Sequence, residues 1–129
     1  MTPLVTDEQA CPRVKAVFDD IRKTRNTDFI NNLWRAIAVH PPTLERTWER
    51  VKTIMGEPSA LDPLVKEMIY IAVSVTNNCE YCLATHSAAA VNKGMTPEMM
   101  GELLAIVGLA NETNRLAIGY RVPIDDRFK

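Results

Sequence analysis

Proline sets the joints of this chain. Pro12, Pro42, Pro63 and Pro97 each stand at the head of a run whose apolar residues recur at three- and four-residue spacing. A proline at the first helical position has no N–H to lose and a φ already set for the helix. Between the joints, no segment alternates apolar and polar residues as a half-buried strand would. The pattern leaves an all-α fold.

The predicted helices follow in order. Pro12 opens the first, with Val14, Val17, Phe18 and Ile21 on one face. Asp28 is placed to cap a second that carries Phe29, Leu33, Trp34 and Ile37 and ends at His40, ahead of Pro41-Pro42. A third begins near Pro42 or Thr43, shows Leu44, Trp48, Val51 and Met55, and stops at Gly56 and Pro58. Asp62-Pro63 opens a fourth, from Leu64 to about Val75, whose apolar residues lie nearly all round, the mark of a central buried helix. Asn77, three residues ahead of Glu80, resembles a capping box, so a fifth helix runs from Asn78 to about Lys93 with Gly94 as its stop. Thr96-Pro97-Glu98 opens a sixth with Met100, Leu103, Leu104 and Val107; a shorter helix over about Thr113 to Arg121 precedes a polar tail. Six or seven helices in 129 residues read as one single-domain bundle spanning residues 1–129.

A formal charge of −1, with neither sign in a long block, argues against a nucleic-acid or membrane-surface partner. The N-terminal residues show no basic region followed by an apolar run, and the longest apolar stretch, Met68 to Val75, is too short to cross a bilayer. A cytoplasmic location is the expectation. With 47% hydrophobic residues and one helix apolar all round, a small subunit is expected to cover part of its surface with copies of itself.

Chemistry concentrates at Cys79-Glu80-Tyr81-Cys82-Leu83-Ala84-Thr85-His86, which holds two of the three cysteines. On a helix, Cys79, Cys82 and His86 fall at i, i+3 and i+7, on one face. With Asn77 as cap, both thiols lie near a helix N-terminus, which favours thiolate. His86, one turn past Cys82, can take the thiol proton or steady the thiolate, so this geometry favours Cys82 as attacker and Cys79 as resolver. Glu67 lies twelve positions before Cys79 in the apolar fourth helix. A carboxylate there needs a partner. Antiparallel packing of the fourth and fifth helices would offer it His86 or a thiol-bound water, while an ordinary ion pair with an Arg or Lys satisfies it equally well. Zinc is the rival use of a CxxC with a following histidine, but a structural site wants four ligands and no second CxxC or HxxxH is present. Cys11 reads as a bystander, His40 as a helix C-terminal residue, Trp34 and Trp48 as core, and Met95, Met99 and Met100 as packing or a subunit contact rather than a cofactor box.

Lys66-Glu67, the run Met68 to Val75, and Asn78-Cys79-Glu80-Tyr81-Cys82 with Thr85-His86-Ser87 resemble the core of the AhpD-like alkylhydroperoxidases of the carboxymuconolactone decarboxylase superfamily. The shared pattern is a glutamate, a CxxC twelve residues on, and a histidine four past the second cysteine; it spans the motif region 64–94. Asn31-Asn32-Leu33-Trp34-Arg35-Ala36 with His40-Pro41 also resembles the stretch ahead of that core. The resemblance implies an all-helical subunit in homotrimers or homohexamers, with no cofactor or metal. It implies reduction of a hydroperoxide, with Cys82 attacking and Cys79 resolving, Glu67 and His86 in support, and a dithiol such as a lipoyl group or a thioredoxin-like protein as reductant. Where such peroxidases can carry a histidine between the cysteines, this chain has Tyr81. A phenol of unperturbed pKa ~10 is a poor base at neutral pH, so the activity is weaker or the relay runs through water. Two other functions fit the pattern less directly. A lactone decarboxylase on the same fold would need no CxxC, and a non-enzymatic redox-sensing subunit would use the disulfide only as a switch.

Overall fold

The computed structural model describes residues 2–129, and its regular structure among those residues is entirely helical. The elements are α1 (Pro12–Arg25), α2 (Asn32–Ile37), α3 (Pro41–Val51) running into a π-helical turn (Lys52–Gly56), α4 (Pro63–Thr76), α5 (Glu80–Asn92), α6 (Pro97–Gly119) and a 3-10 turn (Asp126–Phe128). Prolines do open α1, α3, α4 and α6. The chain forms two compact units, Met1–Glu57 and Pro58–Lys129.

The first unit packs α1 and α2 against α3 around Val14, Phe18, Ile21, Ile30, Trp34, Leu44 and Trp48. Trp34 and Trp48 meet edge to face at 5.5 Å, and the Trp48 indole donates to Asp20 at 2.7 Å. Two expectations are corrected here. Asp28 caps nothing: α2 starts four residues later, behind Asn31, because α1 ends at a left-handed Asn26 and the Arg22 guanidinium then takes the Asp28 carbonyl. Ile30 rather than Phe29 therefore enters the core, and Phe29 is exposed. His40 precedes α3 as its N-cap instead of ending α2, with its ring Nδ1 2.7 Å from the Thr43 hydroxyl oxygen.

The second unit holds the cysteines. Its core is Ile71, Ala90, Met95, Leu103 and Val107, with Met99 and Met100 packed against it. Asp62 caps α4 by accepting from Leu64 N, and Thr96 caps α6 by accepting from Met99 N. Helix α6 continues to Gly119 without interruption, so the separate short helix expected at its end does not form. Helix α4 is not buried all round. Its neighbours α5 and α6 cover one side, leaving Val65, Ile69 and Val73 exposed on the other.

The joint between α4 and α5 differs from the capping box expected at Asn77, and the difference matters for the cysteines. Asn77 belongs to the end of α4. Asn78 takes a left-handed φ of 57°, with its N–H on Val75 O and the Cys79 N–H on Ser74 O. This is the two-bond Schellman stop, with Asn in the place more often taken by Gly. Cys79 is consequently the N-cap of α5, its Sγ accepting from Cys82 N at 3.3 Å. One residue closes α4 with its backbone and opens α5 with its sulfur.

Candidate functional site

The short joint turns the chain back so that Glu67, early in α4, meets residues late in α5. The Glu67 side chain is 7% exposed. Its Oε2 lies 2.7 Å from His86 Nδ1, and its Oε1 accepts from Lys93 Nζ at 3.1 Å. Burial pushes the Glu67 carboxyl up, but the hydrogen bonds from His86 and Lys93 outweigh it and hold the group below the usual carboxylate value. An ionised carboxylate only accepts, so His86 Nδ1 must be the donor, which leaves Nε2 as the ring's open nitrogen. The Tyr70 ring stacks on the imidazole, centroids 3.6 Å apart and planes 19° off parallel. The imidazole is thus fixed at its edge by a carboxylate and on its face by an aromatic ring.

The sulfurs sit at the start of the same helix. Both are free thiols, partly exposed. The Cys79 thiol is held below its ordinary range, first by a hydrogen bond from the Cys82 thiol and then by the backbone N–H groups of Cys82 and Tyr81. Cys82 is pushed up to about 11, by the same hydrogen bond, in which it is the donor, and by burial. Negative charge at a helix N-terminus is favoured, and the N-cap sulfur is the one that collects the converging N–H groups. The sequence spacing placed both thiols two residues deeper in the helix; with the start at Glu80, the electrostatic benefit goes to Cys79. Cys82 and His86 remain one helical turn apart on α5.

The structure therefore brings Glu67 to His86 and Cys79 to Cys82, and sets both pairs on α5 and the helix beside it. Cys11 lies exposed ahead of α1 in the first unit. Two residues that spacing reasoning passed over belong here, Tyr70 and Lys93. The signal was available in both cases: Tyr70 follows Glu67 by three, and Lys93 follows His86 by seven, one and two turns along the same faces. Among the described residues, no group of three or more His, Cys, Asp or Glu side chains is arranged to hold a metal ion. None of their helices is long and apolar enough to cross a membrane.

A helical hairpin with a CxxC dithiol at one helix start and a buried Glu–His pair on the facing turns defines a thiol-site protein of all-α class. Residues 42–122 match the model of the carboxymuconolactone decarboxylase family, and the chain belongs to that family. An uncharacterised protein of Cupriavidus necator is 31% identical over 84 residues, 65% of this chain and 74% of the relative. The crystal structure of the alkylhydroperoxidase AhpD core from Rhodospirillum rubrum superimposes with a TM-score of 0.95 at 53% identity, covering 99% of this chain and 96% of that one. The expected AhpD-like, all-helical fold is the fold observed.

Proposed function

We propose that this chain is a cytoplasmic thiol-dependent peroxidase that reduces hydroperoxides through a Cys79–Cys82 disulfide cycle. The observation that carries the reading is a dithiol at a helix start, one helical turn from an imidazole whose outer nitrogen is left open by a Glu67 hydrogen bond. Likeness to the alkylhydroperoxidase core supports it.

In the first step the Cys82 sulfur attacks an oxygen of the hydroperoxide. The O–O bond breaks, two electrons pass from sulfur to oxygen, an alcohol leaves with a proton, and Cys82 becomes a sulfenic acid. His86 accepts the Cys82 thiol proton and returns it to the leaving oxygen. Cys79 then attacks the oxidised sulfur, forming the disulfide and releasing water. A dithiol of the lipoyl or thioredoxin type returns two electrons and two protons. Tyr81 stands where a second relay histidine can occur, so the single His86–Glu67 pair carries the proton traffic.

A second order of attack rests on a specific observation. The resting charge favours Cys79, and Cys82 holds its proton toward it. In that order Cys79 attacks and Cys82 is donor and resolver. Stopped-flow reduction of an alkyl hydroperoxide, with dimedone trapping in single variants, tests the function and separates the orders. Cys82→Ser is expected to lose turnover and trap no sulfenic acid, and Cys79→Ser to give one trappable equivalent; the mirror result assigns attack to Cys79. A wild type whose thiols survive one equivalent of hydroperoxide overturns the peroxidase reading.

A further inference from the structure

Glu67 uses both carboxylate oxygens. Oε2 faces His86 and Oε1 faces Lys93, so three side chains form one line from the end of α5, across α4, back to the middle of α5. Lys93 is the last residue before Gly94, whose φ of 98° ends the helix. Its side chain is 37% exposed while that of the carboxylate it meets is nearly closed off from water. Nothing in the proposed thiol chemistry requires a cation at this place, seven residues from the imidazole.

We infer that Lys93 is a positioning residue that selects the tautomer of His86 by holding Glu67 as an acceptor-only carboxylate. The inference rests on the proposed role of His86 as proton carrier for the thiol pair. A neutral imidazole has one N–H and one lone pair, and the partner of Nδ1 decides which nitrogen carries which. Opposite an ionised Glu67, Nδ1 carries the hydrogen and Nε2 presents its lone pair. Opposite a protonated Glu67, the carboxylic acid donates to Nδ1, the hydrogen moves to Nε2, and the imidazole can no longer take a thiol proton. Burial drives Glu67 toward that second state, and the hydrogen bonds from His86 and Lys93 oppose it.

On α4 the adjacent charged group is Lys66, buried beside Glu67; the shift of the carboxyl follows from burial, His86 and Lys93. On α5 the remaining titratable groups are Cys79, Glu80, Tyr81 and Cys82, none of them cationic. The charged residues of α6, Glu98, Glu102, Glu112 and Arg115, are all exposed to solvent. Tyr70 contributes in a different way: its stacked ring leaves the imidazole edge-on to Glu67 and resists the flip that would exchange the two nitrogens.

Imidazole 15N chemical shifts of the reduced, full-length protein, followed from pH 5 to 8, read the tautomer directly. Iodoacetamide labelling of Cys82 over the same range reads its consequence. Wild type and Lys93→Arg are expected to keep Nε2 as the unprotonated nitrogen of the neutral ring. Lys93→Met is expected to lose that preference at the acid end and to label Cys82 more slowly there than the wild type does. The gap should close as pH rises and Glu67 ionises unaided. Lys93→Gln, which keeps a polar end without the charge, gives the same readouts should the Met variant fail to fold. Wild-type shifts and labelling in the Met or Gln variant overturn the inference, as does an equal loss in Lys93→Arg, which would assign Lys93 to packing. Neither readout contains a peroxide, so failure of the peroxidase reading is scored separately.

Discussion

At the scale of single residues, Glu67 shows how a costly group becomes useful. Its position among apolar neighbours marked it in the sequence as needing a partner, and spacing alone left histidine and a basic residue as equal candidates. Both are present, one on each oxygen. The consequence for stability has a definite sign. The folded carboxyl is held below its usual value, so it releases its proton more readily in the folded chain than in the unfolded one, where about 4.3 applies. Its contribution is complete above that unfolded value and is lost as pH falls through the folded one. Glu67→Gln is therefore expected to cost about 2 kcal/mol near neutrality, the range for a buried hydrogen bond to a charged group. Thermal melts at pH 7 and pH 3 check this: the gap between wild type and variant should narrow markedly at the lower pH. A gap of constant size would mean that the loss is one of packing.

At the scale of elements, the decisive unit is the joint between α4 and α5. The sequence made both helices plain, through Asp62-Pro63 at one start and Gly94 at the other end, and it located the site-bearing face. The one element boundary that mattered to chemistry was displaced by two residues. Asn is competent both as an N-cap and as a left-handed helix stop, and Asn77-Asn78 offers both readings at once. Only the tertiary return of the chain chooses between them, placing Asn78 at φ 57° and Cys79 at the cap. Capping by a thiol has no strong sequence signal, since sulfur is a weak acceptor. The same limit explains Asp28, a good cap by type that is passed over once the Arg22 guanidinium holds its carbonyl. If Asn78 is present for its backbone, Asn78→Gly should leave the urea midpoint nearly unchanged and Asn78→Val should cost about 1–2 kcal/mol, the penalty of a Cβ-bearing residue in the left-handed region. A valine variant as stable as wild type would remove the joint from the account of the site.

At the scale of the whole molecule, the pattern of apolar exposure is the feature that an isolated subunit leaves unexplained. Periodicity assigned α4 to a buried centre, yet Val65, Ile69 and Val73 follow one another every fourth residue along a face open to solvent. Ile106, Leu109, Leu116 and Ile118 are exposed along α6, and Tyr120, Val122, Ile124 and Phe128 continue the exposure through the tail. A helix apolar all round is stable only when every side is covered. Exposed apolar side chains in this number mark an interaction face. The sequence reading of a buried helix and the observed half-exposed one are reconciled if the missing cover is supplied by other copies. The proposed assembly is a homotrimer or homohexamer, a closed ring that hides the same stripe on each subunit. Sedimentation velocity at low micromolar concentration should show a trimer or hexamer with no monomer boundary. Ile69→Glu, which sets a charge in the middle of the α4 stripe away from Glu67 and the cysteines, should dissociate it while leaving the helical circular dichroism of the subunit in place. A stable wild-type monomer at that concentration, or an Ile69→Glu protein that still sediments as the full assembly, would show that copies of this chain do not cover the stripe.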